Sequence, residues 1–132
     1  MAFVQHLSLD HWSGMSCQSL EVAYPRMQQI VADMARLDAR HHTLLSLAGE
    51  GATLLIGGGN GQYVVVHFDD DDASRTLVDR SRDGGAIVPL TVGGQESDFP
   101  SRQVVDEALA LRAMAAFFVD GRPDAGLDWE QD

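Results

Sequence analysis

Between His42 and Val92, five short runs alternate with turn-forming stretches: HTLLSL, TLLIG, QYVVVHF, TLVDRS and AIVPLTV, separated by AGEG, GGNG, DDDDAS and RDGG. This punctuation constrains the fold more than any other feature of the chain. Gly, Asn and Asp supply the backbone conformations of tight turns, so the segment reads as a meander of five strands. In QYVVVHF, alternation puts Val64, Val66 and Phe68 on one face and Tyr63, Val65 and His67 on the other, so both faces are expected to be covered. Pro89 cannot donate a ladder hydrogen bond, which marks the last run as an edge strand or a bulge. Gly59, Asn60 and Gly61 are hairpin residues rather than a phosphate loop, because a strand follows them and the chain holds no lysine for a Walker motif.

Helical periodicity flanks the meander. A short opening strand over about Phe3–Leu9 leads into a loop containing Trp12, Ser13, Gly14 and Cys17. Pro25 then offers a first-turn residue, and Ile30, Met34 and Leu37 form the apolar face of a helix from Met27 to about Arg40, opposite Gln28, Asp33 and Arg36. After the loop GGQESDFPSRQ, Asp106 is a good N-cap for a second helix with the stripe Ala108, Leu111, Ala115 and Phe118, stopped by Gly121 and Pro123. Trp129 in the tail is expected to pack back onto the domain. The expected fold class is α+β, an antiparallel β-meander of about five or six strands with two packed helices, in a single domain over residues 1–132.

Charge narrows the function classes. The 132 residues carry 20 acids against nine basic residues, all arginine, for a net charge of −11. Such a balance repels phosphate backbones and anionic lipid and attracts basic proteins. The N-terminus lacks a basic start followed by an apolar stretch, and no uncharged run can cross a membrane, so a cytoplasmic protein with neither secretory signal nor membrane contact is expected. Lone Cys17 allows no intrachain disulfide.

Four consecutive carboxylates, Asp69, Asp70, Asp71 and Asp72, share one turn, where neighbours roughly 6 Å apart repel by about 0.7 kcal/mol in water. Such a turn belongs in solvent. In a meander, alternate turns share an end, which would gather Glu50, Asp69 to Asp72, Glu96 and Asp98 at one strongly negative pole. The opposite end would hold Asn60 with Arg80, Arg82 and Asp83, whose charges nearly cancel. Acidic turns also serve solubility, and both readings remain open at this level. The pole lacks the spacing of a calcium loop. Neither the five histidines nor Cys17 form a recognisable metal or nucleophile motif, so no catalytic residue, metal or cofactor is expected.

Three ordered segments, GGNGQYV at Gly58–Val64, VGGQESDFP at Val92–Pro100 and VVDEALALRAMAAFFVDGRPDAGLDW at Val104–Trp129, carry a resemblance. Over about its last three quarters the chain resembles the first-numbered Imm family of bacterial immunity proteins, from polymorphic toxin systems. Gly93, Gly94, Gln95 and Pro100, then Phe117 or Phe118, Gly121, Pro123 and Trp129, are the motif residues, and the resemblance implies that they maintain the fold. It further implies a small α+β domain without catalysis that binds a cognate toxin domain, commonly of the nucleic-acid deaminase type. With the charge argument, the expectation is an acidic pole that blocks a basic substrate cleft, in a monomer or weak homodimer. The alternative is a non-catalytic adaptor that self-associates through the Pro89 edge strand.

Overall fold

A computed structural model gives the fold and describes residues 2–71, 73–82 and 85–132. In chain order the elements are β1 (His6–Ser13), β2 (Ser16–Ala23), α1 (Met27–Met34), β3 (Leu44–Gly49), β4 (Ala52–Gly59), β5 (Gln62–Asp69), β6 (Ser74–Val78), β7 (Ile87–Val92), β8 (Gln95–Pro100), α2 (Glu107–Asp120) and β9 (Asp128–Gln131). The α+β class holds, but the main sheet has seven strands, ordered β2-β1-β3-β4-β5-β6-β9, and β7 pairs with β8 in a separate two-stranded sheet. All these pairings are antiparallel.

The meander is therefore continuous only from β3 to β6. The run AIVPLTV does not join β6; the C-terminal β9 does, with Trp129 opposite Leu77. The stretch GGQESDFP, expected to be a loop, contains β8. The expected loop around Trp12 and Cys17 is a hairpin, in which Ser13 closes on Ser16. These strands escaped the pattern because their side chains are mostly exposed, and alternation is visible only where one face is buried.

Strand register explains the two faces. Leu45 lies opposite Ile56, Leu47 opposite Leu54, Ile56 opposite Val65 and Leu54 opposite His67, so these side chains share the face that α1 and α2 cover. The other face carries Val64 and Val66, over which the β7–β8 hairpin packs through Leu90, Val92 and Phe99. That close approach is why β4 ends in three glycines: a Cβ on Gly57 would strike Val92, and one on Gly59 would strike the backbone at Leu37–Ala39. Only Asn60 and Gly61 form the turn between β4 and β5, both at positive φ as a two-residue hairpin requires.

The helices also differ from their expected limits. Ile30, Met34 and Leu37 are buried as the spacing requires, but α1 stops at Met34. Asp38 ends the segment: its Oδ1 accepts the backbone N–H groups of Arg40, His41 and His42 and holds the chain in a turn. Asp33, expected on the polar face, is buried beside Gln29 and Arg36. In α2, Asp106 caps as expected by accepting the Leu109 N–H at 2.9 Å. The buried stripe is Ala110, Ala113, Met114 and Phe117, rotated from the expected one. The sequence ALALRAMAAFFV is apolar almost all round, so its period leaves the phase to the tertiary contacts, among them Phe117 edge-on to Phe3.

Candidate functional site

Two turns meet at one end of the main sheet. Glu50 and Gly51 connect β3 to β4, and Asp70 lies in the turn from β5 to β6; the Asp70 N–H donates to the Gly51 carbonyl at 3.0 Å. Antiparallel neighbours alternate the ends of their turns, so this contact follows from the meander. Glu50, Asp70 and Asp71 are exposed there. Asp69 shapes the turn itself, since its Oδ1 accepts the N–H groups of Asp71 and Ala73, and Arg75 stands 3.7 Å from its Oδ2. The crowding is thus relieved by one carboxylate turning inward onto backbone donors. Asp72 lies outside the described residues.

The structure separates Glu96 and Asp98 from this end. Both lie on β8, opposite Thr91 and Pro89, and the tip of that hairpin packs at the far end of the main sheet. The Gly94 N–H donates to Thr43 Oγ1 at 2.9 Å, and Val92 lies over Gly57. Thr43 precedes β3 whereas Glu50 follows it, a separation of roughly 20 Å along an extended strand. The expectation of one shared pole failed at its last turn because β9, not β7, takes the place beside β6.

In place of Glu96 and Asp98, β9 brings Asp132. Its carboxylate accepts from Ser74 Oγ at 2.8 Å and from Thr76 Oγ1, one strand from Phe68 and Asp69. No local signal in the sequence announces this neighbour, which is recruited across 58 residues. Phe68, the last aromatic before the acidic turn, is 38% exposed. Among the described residues, Arg75 is the cation ion-paired to this group of acids. The result is a strongly negative rim with an apolar neighbour.

The opposite end is built for rigidity. Asp10 Oδ1 accepts the N–H groups of Thr43 (2.6 Å) and Leu44 (2.9 Å), while Oδ2 accepts Trp12 Nε1 (2.8 Å) and Thr43 Oγ1. This one carboxylate fastens β1 to the start of β3 and, through Thr43, to the β7–β8 tip. For Asp38, partial burial opposes ionisation, but its three backbone donors outweigh it and hold the carboxyl far below the usual range. Ser19, Ser8 and His6 likewise hold the exposed Glu21 carboxyl down at about 2.

The motif residues are spread over the β7–β8 hairpin, the end of α2 and the C-terminal strand. Gly93 and Gly94 form the β7–β8 tip against Leu44 and Trp12, and Gln95 opens β8 with its side chain in solvent. Pro100 closes β8, Phe118 is half-buried against the core, and Gly121 caps α2 beside Phe3. Pro123 is half-buried, and Trp129 donates its indole N–H to the Asp124 carbonyl. His67 is buried, with Nε2 at 2.9 Å from the Gly121 carbonyl, as a core histidine with one satisfied nitrogen would be. Cys17 is exposed on β2. Pro89 sits exposed in the middle of β7. A groove of about 440 Å³ between the end of β2 and α1 is lined by Tyr24, Arg26, Gln28 and Gln29, without a carboxylate, histidine or cysteine for acid–base work. No helix among the described residues is long and apolar enough to cross a membrane.

Comparison with protein families matches residues 5–131 to the family described as Immunity protein Imm1. The match covers nearly the whole chain, including residues 5–40, where the resemblance in sequence is least clear. The chain belongs to that family and is an immunity protein, which neutralises a toxin. No curated protein and no solved structure matches it.

Proposed function

We propose that this immunity protein acts without catalysis, in the cytoplasm of the producing cell, by laying its acidic rim over the basic, nucleic-acid-handling cleft of a deaminase-type toxin. The observation that carries this reading is the hydrogen-bonded meeting of the β3–β4 and β5–β6 turns, which gathers Glu50, Asp70 and Asp71 beside exposed Phe68. Clustered charge speeds encounter with an oppositely charged partner, and a desolvated aromatic slows release. Asp69 supports the rim by shaping its turn, and Asp132 adds to the negative field from β9. Glu96 and Asp98 form no part of this footprint.

The test is a kinetic comparison with the cognate toxin domain. Triple neutralisation, Glu50→Gln with Asp70→Asn and Asp71→Asn, is expected to lower the association rate about 3- to 10-fold at low salt, with the difference vanishing near 0.5 M salt. Phe68→Ala is expected to raise the dissociation rate instead. Rates unchanged by the triple variant would place the interface elsewhere.

A further inference from the structure

The outer edge of β2 is the feature that the acidic rim leaves unused. β2 terminates the seven-stranded sheet and, among the described residues, pairs only with β1. The register, closed by Ser13 on Ser16, and the Tyr24 N–H bond to the Gln5 carbonyl fix which residues face β1: Ser16, Gln18, Leu20, Val22 and Tyr24. Cys17, Ser19, Glu21 and Ala23 therefore turn their backbone N–H and C=O groups outward, along the free edge. Four residues in register make a template for one more strand.

Native edges are normally blunted, and the other edges of this molecule are. β9 is four residues long and bears Asp128 and Glu130, bridged to Arg80 and Arg102. β7 contains Pro89, and β8 carries Glu96 and Asp98. β2 is eight residues long, without proline, and has one charge. That charge is folded back: Glu21 meets His6 at 2.8 Å and accepts from the Ser19 hydroxyl, while Ser19 meets Ser8 on β1. Met15, 99% exposed, and Tyr24, 75% exposed, stand just beyond the two ends of the edge, as apolar contacts for an incoming segment.

Net charge selects the occupant. Two copies at −11 each repel, whereas a basic chain is attracted. We propose that the free edge of β2 receives an extended strand of the cognate toxin, antiparallel or parallel, as an eighth strand of the main sheet. The inference rests on the toxin-binding reading above and extends its footprint. The Ala23 end of the edge lies two strands, about 10 Å, from the strand that runs into Glu50, so one toxin surface spans both.

The test uses Ser19→Pro, which removes an outward N–H that β1 does not use, and Ser19→Ala, which removes only the hydroxyl. Both are expected to unfold at near the parental temperature. With the cognate toxin domain, Ser19→Pro is expected to raise the dissociation rate at least about tenfold while Ser19→Ala stays within about twofold. Amide exchange at Cys17, Ser19, Glu21 and Ala23 is expected to be fast in the free protein and protected in the complex. If exchange stays fast in the complex and Ser19→Pro binds normally, the edge inference is overturned, while slowed association of the acidic-rim triple variant would leave the rim reading standing. If those amides are protected in the free protein and Ser19→Pro converts a dimer to a monomer by sedimentation, a second copy holds the edge and the inference is likewise overturned. Should Ser19→Pro unfold, the exchange comparison on the unmodified protein decides alone.

Discussion

Replacing Asp10 by Asn keeps the shape of the side chain but leaves one oxygen where four donors converge. The remaining oxygen best serves the Thr43 and Leu44 N–H groups, which places the new amide nitrogen against Trp12 Nε1 and Thr43 Oγ1. Each hydrogen bond to a charged acceptor contributes about 1.5–3 kcal/mol, so losing two would remove about 3–6 kcal/mol. Thr43 Oγ1 already accepts from the Gly94 N–H and can turn to accept from the amide too, restoring roughly one bond. The expected loss is about 2–4 kcal/mol, with the Trp12 indole left without an acceptor. At about 4 °C per kcal/mol for a chain of this length, the melting temperature should fall by roughly 8–16 °C. Circular dichroism on heating and a urea titration followed by tryptophan fluorescence measure the change. The association rate with the toxin should be unaltered at a temperature where the variant is folded, because the acidic rim that speeds encounter lies at the other end of the sheet. A melting temperature within about 2 °C of the parent would refute the role of Asp10 as the fastening point of β1, β3 and the β7–β8 tip.

Gly94→Ala places a left-handed residue at φ +80° and drives a methyl into the Trp12 ring, whereas Gly61→Ala at φ +84° meets open space. The first should lose about 2–4 kcal/mol in a urea titration and the second about 1–2, and equal losses would show that packing against Trp12 is unimportant. Asp38 has a folded-state value depressed below its unfolded one, so its contribution to stability is present above roughly pH 4 and declines as pH falls below that. The stability difference between the parent and Asp38→Asn should therefore shrink between about pH 5 and pH 2; a difference constant with pH would sink the assignment.

Much of the local structure was legible because burial writes itself into sequence. The alternation in QYVVVHF named the faces of β5 correctly, with Tyr63, Val65 and His67 together on one of them, because both of its faces are covered by different partners. Asn60–Gly61 announced its hairpin and Asp106 its helix, since a turn or a cap is satisfied by donors within a few residues. The placement of Glu50 beside Asp70 followed from counting turns. The same count failed for Glu96 and Asp98, because it assumed that the fifth run continues the sheet, and only the competing strand from Asp128 to Gln131 decides that it does not.

By itself, then, the chain determined which segments turn, which alternate, where a helix is capped and how much negative charge must face solvent, all of which depend on neighbours close in sequence. Tertiary structure alone decided the phase of an all-apolar helix, the strand beside β6, the convergence of donors from residues 43 and 44 on Asp10, and the unblunted edge of β2. Those outcomes depend on contacts between residues far apart in the chain, where pairing geometry and shared volume, rather than local preference, choose the partner.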